Sequence, residues 1–243
     1  MVGTICLVQA KATAPFSPPP ACRLQFCGSR QFLGFAEAYR DGTRDHDVNQ
    51  NYAPLLDAIE GDPPYSILDL GCGPGRDLRY FRSLGHDAVG LDGSTEFVAM
   101  ARSYSECEVL QQEFLAMELP KSRFDGIFAN ASLFHVPSQE MPRVLAELSE
   151  TLRPRGVLFC SNPRGNNEEG LSGDRYSCFF DYDTWCNYVT AAGFFRRDCR
   201  ATNSGGSRPS GAKGKVRHTS RPSGSGGAFG CWCLENGWPK RVW

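Results

Sequence analysis

A glycine-rich loop follows the first strong strand signal of the chain. Residues 66–70 (SILDL) form a short apolar run, Gly71, Gly73 and Gly75 follow in the sequence GCGPG, and a helical pattern begins at Arg76. Glycine permits positive φ angles and lets a ligand approach the backbone, and the start of the next helix has free N–H groups. A strand, a glycine loop and a helix in this order predict a site for a nucleotide or a nucleoside.

Acidic residues beside this loop narrow the choice of ligand. A dinucleotide-binding loop has the spacing Gly-x-Gly-x-x-Gly, whose third glycine would be residue 76, and that residue is Arg. Asp69 precedes Gly71 by two positions, where a carboxylate repels a pyrophosphate and attracts an ammonium group. Asp92 ends a second strand signal and can accept hydrogen bonds from both hydroxyls of a ribose. Asp92 therefore supports a nucleoside without choosing between the ligand classes, whereas Asp69 and Arg76 argue against NAD.

Strand and helix signals alternate along the rest of the chain. Strands are expected at 66–70, 88–91, 108–111, 125–129, 156–161 and 194–197. Helical structure is expected over 35–60, where the run 51–60 has one apolar face, and at 76–84, 95–105, 138–152 and 184–192. Thr95 and Ser138 are the expected N-caps of two of these helices. This alternation predicts an α/β fold, a parallel sheet with helices on both faces. Ligands of such sheets bind beyond the carboxyl ends of the strands, where the glycine loop and Asp92 lie.

Charge is distributed unevenly along the 243 residues, although the net charge is -1. Residues 37–199 contain 15 basic and 26 acidic residues, and both ends of the chain are basic. The acidic centre argues against nucleic acid as the main partner, because phosphate contacts need clustered Lys and Arg. No apolar run approaches the ~18 residues of a membrane span. The sequence carries no signal for an oligomeric state.

Composition divides the chain into three parts. Residues 1–34 are rich in Pro, Ala and Ser and contain no acidic residue, so we expect a disordered leader. This composition fits a transit peptide for a plastid or a mitochondrion. Without a transit peptide, we expect a cytoplasmic protein. Residues 35–199 are the expected folded domain, and residues 200–243 are an expected disordered tail rich in Gly, Ser and Arg. The 11 Cys residues include no CxxC pair, which indicates reduced thiols and no metal site.

Three segments resemble one known family. The sequences ILDLGCGPGRDL at 67–78, AVGLD at 88–92 and FDGIFANASLFHV at 124–136 are similar to class I S-adenosylmethionine-dependent methyltransferases. The segments HDVNQNY and SNPRG, at 46–52 and 161–165, resemble a small-molecule-methyltransferase-like branch. The resemblance covers about residues 37–197. It implies a Rossmann-like, doubly wound, mostly parallel sheet of seven strands, S-adenosylmethionine as cofactor and a small-molecule methyl acceptor. A non-catalytic cofactor-binding or scaffold protein of this fold is the first alternative, and an NAD-dependent oxidoreductase is the second.

The resemblance also implies roles for individual residues in binding the cofactor. The three glycines would approach its methionine part and adenosine, Asp69 would order the loop and face the amino group, and Asp92 would hold the ribose. Glu113 and Phe114 match the positions that contact the adenine. Asn130 and Ala131 match the backbone contact to the methionine part. Tyr39 and Tyr52 match aromatic residues that would close over the cofactor.

Methyl transfer from a sulfonium is an in-line displacement, so the protein mainly aligns the reactants and excludes water. A general base is needed only for a protonated acceptor such as a hydroxyl. His135 is the candidate base, with a structural histidine as the alternative, and Arg164 and Tyr176 are candidates on the substrate side. The DPPY at 62–65 precedes the first strand, so it is interpreted as a linker turn and not as the motif of an amino-group methyltransferase.

The sequence lacks a complete set of strand signals for the last part of the sheet. The family closes its sheet with a sixth strand and an antiparallel seventh strand, which inserts between the fifth and the sixth. The strand signal that starts at Phe194 stops at Arg200, and a Gly/Ser/Arg-rich stretch follows. We therefore expect an impaired enzyme or an incomplete sheet, unless residues 228–234 supply the last strand.

Overall fold

The computed structural model of the chain describes residues 3–10, 36–43, 48–172 and 175–198. The strands are β1 Gly3–Ala10, β2 Ser66–Leu70, β3 Asp87–Asp92, β4 Glu108–Gln111, β5 Phe124–Asn130, β6 Leu152–Pro163, β7 Glu168–Ser172, β8 Arg175–Phe179 and β9 Phe194–Asp198. The helices are α1 Ala36–Thr43, α2 Asn49–Leu56, α3 Arg76–Ser83, α4 Thr95–Ser105, α5 Met141–Thr151 and α6 Tyr182–Ala191, and a 3-10 turn spans Leu133–His135.

Seven of these strands form one sheet in the order β4-β3-β2-β5-β6-β1-β9. The five strands from β4 to β6 are parallel to their neighbours, and β1 is antiparallel to β6 and β9. All five residues of β2 are buried, as expected for a central strand with both faces covered. The prediction of a Rossmann-like, mostly parallel sheet is confirmed.

The strand between β6 and β9 comes from the opposite end of the chain from the one expected. Residues 3–10 pair with β6 from Gly3 opposite Pro163 to Gln9 opposite Val157, and with β9 on their other side. Leu7 and Val8 are buried in the core. The expectation of a disordered leader is therefore wrong for residues 3–10, and β1 stands where the resemblance places an antiparallel seventh strand. Residues 11–35 and the tail from 199 onward, including 228–234, lie outside the described residues.

The core consists of two apolar layers, one on each face of the sheet. Alternate residues of β6 point to opposite layers, since Leu158 and Cys160 belong to the layer beneath α5 and α6, and Val157 and Phe159 belong to the other. The rings of Phe128 and Phe159 stack with their centroids 4.9 Å apart. This packing fixes the carboxyl ends of β2, β5 and β6, from which the loops of the site extend.

Two helix starts differ from the expectation. Ser94, rather than Thr95, caps α4, and its hydroxyl accepts a hydrogen bond from the Phe97 amide. The helix α5 begins at Met141, and Ser138 instead donates through its amide and its hydroxyl to Glu169. A serine near a helix start can bind either the helix or a neighbouring loop, and only the fold decides which.

The hairpin β7–β8 was not expected from the sequence. It follows β6 as a separate two-stranded antiparallel sheet, with Glu168 opposite Phe179 and Ser172 opposite Arg175. The side chain of Glu169 ties it to residue 138, at the start of the segment that leads into α5. The hairpin therefore lies beside the 3-10 turn at the carboxyl end of β5.

No helix within the described ranges is long and apolar enough to cross a membrane. The described residues also contain no group of three or more His, Cys, Asp or Glu side chains that could hold a metal ion.

Candidate functional site

The glycine loop is fastened to the end of the neighbouring strand. The amides of Gly71 and Cys72 donate to the Leu91 carbonyl over 2.8 and 3.1 Å. Farther along the loop, the amide of Gly73 donates to Asp92 Oδ2 over 2.9 Å. The loop that leaves β2 therefore bends over the end of β3, which brings Asp69 and Asp92 to one side of the sheet.

The three glycines have positive φ angles but different surroundings. A Cβ on Gly71 would lie 2.6 Å from Ser132 Cβ, and one on Gly75 would lie 2.8 Å from Ala101 Cα. A Cβ on Gly73 would meet nothing among the described residues within 4 Å. Gly71 and Gly75 are therefore required for close packing, and Gly75 serves the contact with α4 rather than an open face. Gly73 is the glycine that borders open space.

Asp69 is buried at the end of β2 and is only partly satisfied. The Leu78 amide donates to its carboxylate, but Oδ2 has no hydrogen-bond partner in the described part of the chain. Burial, and then the charge of Asp77, raise the pKa of the Asp69 carboxyl well above its ordinary value. A cationic donor beside Oδ2 would offset both effects, so this position suits an ammonium group.

Two more buried oxygens near the end of β5 have no partner among the described residues, namely Asn51 Oδ1 and Ser132 Oγ. The Asn51 amide group donates to Asn130 Oδ1 over 3.0 Å. Ser132 lies against Gly71. Buried polar groups are normally hydrogen-bonded, so these atoms indicate where a polar ligand would bind. The sequence analysis did not select Asn51 or Ser132.

Asp92 is held by backbone amides. Its Oδ2 accepts from Gly73, its Oδ1 accepts from Ser94 over 2.9 Å, and the Gly93 amide also donates to it. Burial raises the pKa of its carboxyl, and the amide bonds oppose that effect. A carboxylate has about four acceptor positions, so Asp92 retains capacity for a ribose diol.

The residues expected near adenine flank this position. The Gln112 amide donates to the Asp92 carbonyl over 3.1 Å, which sets the loop after β4 beside the end of β3. Glu113 is exposed, with its Cγ 3.5 Å from where a Cβ on Gly93 would stand. The ring of Phe114 approaches Gly71, with Cζ 3.2 Å from a Cβ built there. The structure thus brings Phe114 to the glycine loop and Glu113 to the residue that follows Asp92.

Asn130 and Ala131 lie at the end of β5, as expected. Asn130 binds Asn51 through its side chain, while Ala131 has φ +56° and donates its amide to the Ser161 carbonyl over 2.7 Å. The Ala131 amide therefore already donates to β6. Of the two residues, Asn130 is the one whose side chain remains near the unpartnered oxygen of Asn51.

The two tyrosines expected to close over the cofactor have different environments. Tyr52 is in the core, stacks on Tyr80 at 3.8 Å between centroids, and donates its hydroxyl to Asp77 Oδ1 over 2.6 Å. Tyr39 packs against Phe97 at 5.3 Å, and its hydroxyl interacts electrostatically with Asp92. Tyr52 therefore anchors α2 to α3, whereas Tyr39 is placed to cover the site.

Arg76, the residue in place of a third dinucleotide glycine, is held by its neighbour. Its Nε and Nη2 atoms donate to the two carboxylate oxygens of Asp77 over 2.8 and 3.1 Å. Its Nη1 donates to the Thr43 carbonyl at the end of α1. Arg76 and Asp77 thus join the N-terminal helices to the glycine loop, which the sequence analysis did not predict.

Both ring nitrogens of His135 are engaged. Nδ1 lies 2.8 Å from the Tyr176 carbonyl, which can only accept, so Nδ1 carries the proton and Nε2 accepts from Arg175 Nη2 at 2.8 Å. Burial, with the charge of Arg175, lowers the pKa of His135 to about 4. A histidine with its lone pair occupied and this pKa is a poor proton acceptor at neutral pH. The geometry favours the structural interpretation of His135.

The side chains of the two expected substrate residues, Arg164 and Tyr176, interact with other parts of the chain. Arg164 is exposed and interacts electrostatically with Asp181. The Tyr176 hydroxyl donates to Glu169 across the hairpin over 2.5 Å, and its carbonyl holds His135. Arg175, which the sequence analysis passed over, is the hairpin residue that reaches toward the cofactor side, because its charge acts on Tyr39 and Asp92.

Comparison with known proteins agrees with this geometry. A family profile described as a methyltransferase domain matches residues 67–156, which hold the glycine loop, Asp92 and the end of β5. Residues 67–156 of the chain are therefore similar to a methyltransferase domain. In fold, the chain is similar to the 1,6-didemethyltoxoflavin-N1-methyltransferase of Burkholderia thailandensis, with a TM-score of 0.58, 23% identity and coverage of 74% of this chain and 82% of that one.

Two curated relatives show the extent of the sequence similarity. The chain is 33% identical over 142 residues to trans-aconitate 2-methyltransferase of Azoarcus sp. (strain BH72), covering 57% of this chain and 51% of that protein. It is 31% identical over 138 residues to sterol 24-C-methyltransferase of Yarrowia lipolytica, covering 54% of this chain and 34% of that protein. The chain thus spans about half of the first relative's length and a third of the second's.

The region that matches the methyltransferase domain has residues that fit S-adenosylmethionine. The unpartnered Asp69 Oδ2 fits its ammonium group, and the acceptor positions of Asp92 fit its ribose. A Cβ on Gly73, whose amide binds Asp92, would meet nothing among the described residues within 4 Å, so this part of the loop borders open space. The expected cofactor class therefore agrees with the donors, acceptors and space that the site provides.

Proposed function

We propose that the protein is an S-adenosylmethionine-dependent methyltransferase that acts on a small-molecule acceptor. The observation that carries this proposal is the buried Oδ2 of Asp69, which has no hydrogen-bond partner among the described residues. Asp77 and Asp92 add negative charge around Asp69. The nearby cation Arg76 forms an ion pair with Asp77. Such a site attracts a cationic nucleoside and repels a pyrophosphate, so NAD is disfavoured.

S-adenosylmethionine supplies a methyl group that its sulfonium already activates for displacement. The chain's own residues then have three tasks, which are binding, alignment and exclusion of water. Asp69 and Asp92 bind the two ends of the cofactor, and Tyr39 on α1 covers it. Because His135 is neutral and engaged, the acceptor has to present a lone pair without help from this histidine, as a carboxylate or a thiolate does.

The small size of the acceptor is supported by the relatives and by charge. The names of the two relatives and of the Burkholderia thailandensis enzyme refer to trans-aconitate, a sterol and 1,6-didemethyltoxoflavin. The domain between residues 37 and 199 has more acidic than basic residues, which disfavours a nucleic acid. We infer a small organic molecule from these two observations together.

Turnover with labelled cofactor tests the proposal. The full chain is incubated with methyl-labelled S-adenosylmethionine and fractionated metabolite extracts, and labelled products are detected by mass spectrometry. We expect label in a small molecule, and none with Asp69→Asn, in which the charge for the ammonium group is lost. Binding of S-adenosylhomocysteine without any label transfer would support the non-catalytic alternative instead.

A further inference from the structure

Asn51 lies on α2, outside the residues that match the methyltransferase domain, and its side chain is fully buried. Its amide group donates to Asn130 Oδ1 over 3.0 Å, at the end of β5. Its own Oδ1 has no hydrogen-bond partner in the part of the chain that the structure describes. The bond to Asn130 fixes the direction in which the carboxamide faces, so Oδ1 is an oriented acceptor for a ligand that donates a hydrogen bond.

Other contacts hold α2 in place. The hydroxyl of Tyr52 donates to Asp77 Oδ1 over 2.6 Å, and Leu55 is fully buried in the apolar layer that α2 and α3 share. The charge of Asp69 also acts on the Tyr52 hydroxyl, so α2 stands beside the end of β2. The helix therefore presents Asn51 to the site, and the loss of one side-chain oxygen at this position does not remove the contacts that anchor it.

The unpartnered oxygens of Asp69 and Asn51 belong to the same face of the sheet. Ile67 of β2 and Phe128 of β5 face the layer that α2 and α3 share. Asp69 and Asn130 each follow two positions later, and alternate residues of a strand face the same side. Because Asp69 pairs in register with Phe128, Asn130 stands two residues farther along the neighbouring strand. The carboxamide that binds Asn130 thus lies on the side to which the Asp69 carboxylate points.

The charges around these two oxygens favour a cationic donor. Asp77 and Asp92 both add negative charge at Asp69. The nearby cation Arg76 donates to Asp77 through Nε and Nη2, and to the Thr43 carbonyl through Nη1. An ammonium group has three N–H donors, so it can bind a carboxylate oxygen and a carboxamide oxygen at the same time. The two acceptors together fit an ammonium group better than a neutral donor.

We propose that Asn51 binds the ammonium group of the cofactor together with Asp69, and so selects nucleosides that carry an intact amino-acid part. This inference rests on the proposed function. Asp69 supplies the charge, whereas Asn51 supplies a neutral acceptor that adds no further negative charge to the site. A nucleoside that lacks the amino group leaves both buried oxygens without a donor, and it binds weakly for that reason.

Binding in the absence of a methyl acceptor separates the ammonium group of the cofactor from an amine of the acceptor. The full chain is titrated by calorimetry with S-adenosylhomocysteine and with its deaminated analogue, in which hydrogen replaces the amino group. The same titrations are made on Asn51→Leu, which removes the oxygen at similar volume, and on the smaller Asn51→Ala. Asn49→Leu is the control, because Asn49 lies on the same helix and is exposed.

We expect the wild type to bind S-adenosylhomocysteine about 100-fold or more tightly than the deaminated analogue, as for two charge-assisted hydrogen bonds. Asn51→Leu and Asn51→Ala should reduce this preference by about tenfold, and their affinity for the analogue should stay within about threefold of the wild type. Asn49→Leu should keep the whole preference. A merely structural role of Asn51 would instead weaken the binding of both ligands alike.

A measurement on the wild-type chain does not depend on how the variants fold. Hydrogen exchange of a peptide that covers α2, residues 49–56, is followed by mass spectrometry with each ligand at saturation. We expect slower exchange with S-adenosylhomocysteine than with the deaminated analogue, because only the ammonium group joins Asn51 to the bound nucleoside.

Two results would overturn the inference. One is a preference for the amino group that is the same in a folded Asn51 variant as in the wild type. The other is equal protection of α2 by the two ligands in the wild-type chain. If the wild type does not bind S-adenosylhomocysteine at all, the proposed function fails first, and the two failures are thereby distinguished.

Discussion

The amide of Gly73 donates to Oδ2 of Asp92 over 2.9 Å, so the acidic residue that would bind the ribose also shapes the glycine loop. Asp92 has a second structural task, because its Oδ1 accepts from Ser94 at the start of α4. Ligand affinity and loop geometry are therefore linked at this carboxylate, and a change there affects both.

Replacing Asp92 should lower cofactor affinity and stability together. In Asp92→Ala the amides of Gly73 and Ser94 lose their acceptor, and the ribose hydroxyls lose theirs. We expect S-adenosylhomocysteine affinity to fall by about 10- to 100-fold and the free energy of unfolding to fall by about 1–3 kcal/mol. Asp92→Asn keeps one acceptor oxygen, so its affinity and its free energy of unfolding should lie between those of the wild type and Asp92→Ala. Unchanged affinity in a folded Asp92→Ala protein would show that the carboxylate is only a helix cap.

Alanine at Gly73 should impair binding more than folding. Its Cβ would enter the space that we assign to the cofactor, while the positive φ costs about 1 kcal/mol. Gly85→Ala is the matched control, since Gly85 also has a positive φ and nothing among the described residues lies within 4 Å of its Cβ. Both variants should lose similar stability in urea titrations, but only Gly73→Ala should lose affinity for S-adenosylhomocysteine. Equal affinities in the two variants would contradict the assigned space.

The pH dependence of the free energy of unfolding should show the lowered pKa of His135. Its pKa is lowered from 6.5 to about 4 in the folded chain, so the unfolded state binds a proton first as the pH falls. The wild type should therefore lose stability between pH 6.5 and pH 4 relative to His135→Gln, by at most about 3 kcal/mol, and the difference should be constant above pH 6.5. Urea unfolding across this range measures it. A difference that does not change with pH would mean that His135 titrates normally.

The strand β1 should be essential for folding. Val8 is fully buried on the strand between β6 and β9, within an apolar cluster of the described core. Val8→Asp should destabilise the chain by several kcal/mol or leave it insoluble, because burial of an unpaired charge is costly. Gln9→Ala is the control, because Gln9 is only partly buried and its side-chain amide donates only to the exposed Glu60 carboxylate and the Arg155 carbonyl. A stable Val8→Asp protein would show that β1 is dispensable.

The same strand limits the transit-peptide hypothesis. Cleavage of a leader through residue 34 would remove β1 and leave the edges of β6 and β9 unpaired, which promotes aggregation. Import into an organelle remains a prediction from composition. With β1 in the sheet, such a leader would have to stay uncleaved, and N-terminal sequencing of the mature protein tests this.

The sequence predicted what local patterns encode. The apolar runs that end at Leu70 and Leu91 and the glycines after them identified the parallel strands and one side of the site. The buried faces of α3 and α5 also follow the expected periodicity, as Leu78 and Leu148 illustrate. Each of these features depends on residues that are close together in the sequence.

The features that were missed depend on long-range contacts. The pairing of β1 joins residue 9 to residue 157, and no local pattern specifies that a strand from the start of the chain enters the sheet between β6 and β9. The bond between His135 and Arg175 spans 40 residues and relies on a hairpin whose strand EEGLS has no apolar alternation. Asn51 reads as an ordinary polar helix residue until the fold buries it beside Asn130.

Calorimetry of the wild-type chain with S-adenosylhomocysteine and with NAD tests the central claim most directly. The account predicts saturable binding of S-adenosylhomocysteine and no binding of NAD, because Asp69 attracts an ammonium group and repels a pyrophosphate. At 100 times the dissociation constant, the ligand should stabilise the fold by about 2.7 kcal/mol. Binding of NAD without binding of S-adenosylhomocysteine would contradict the account.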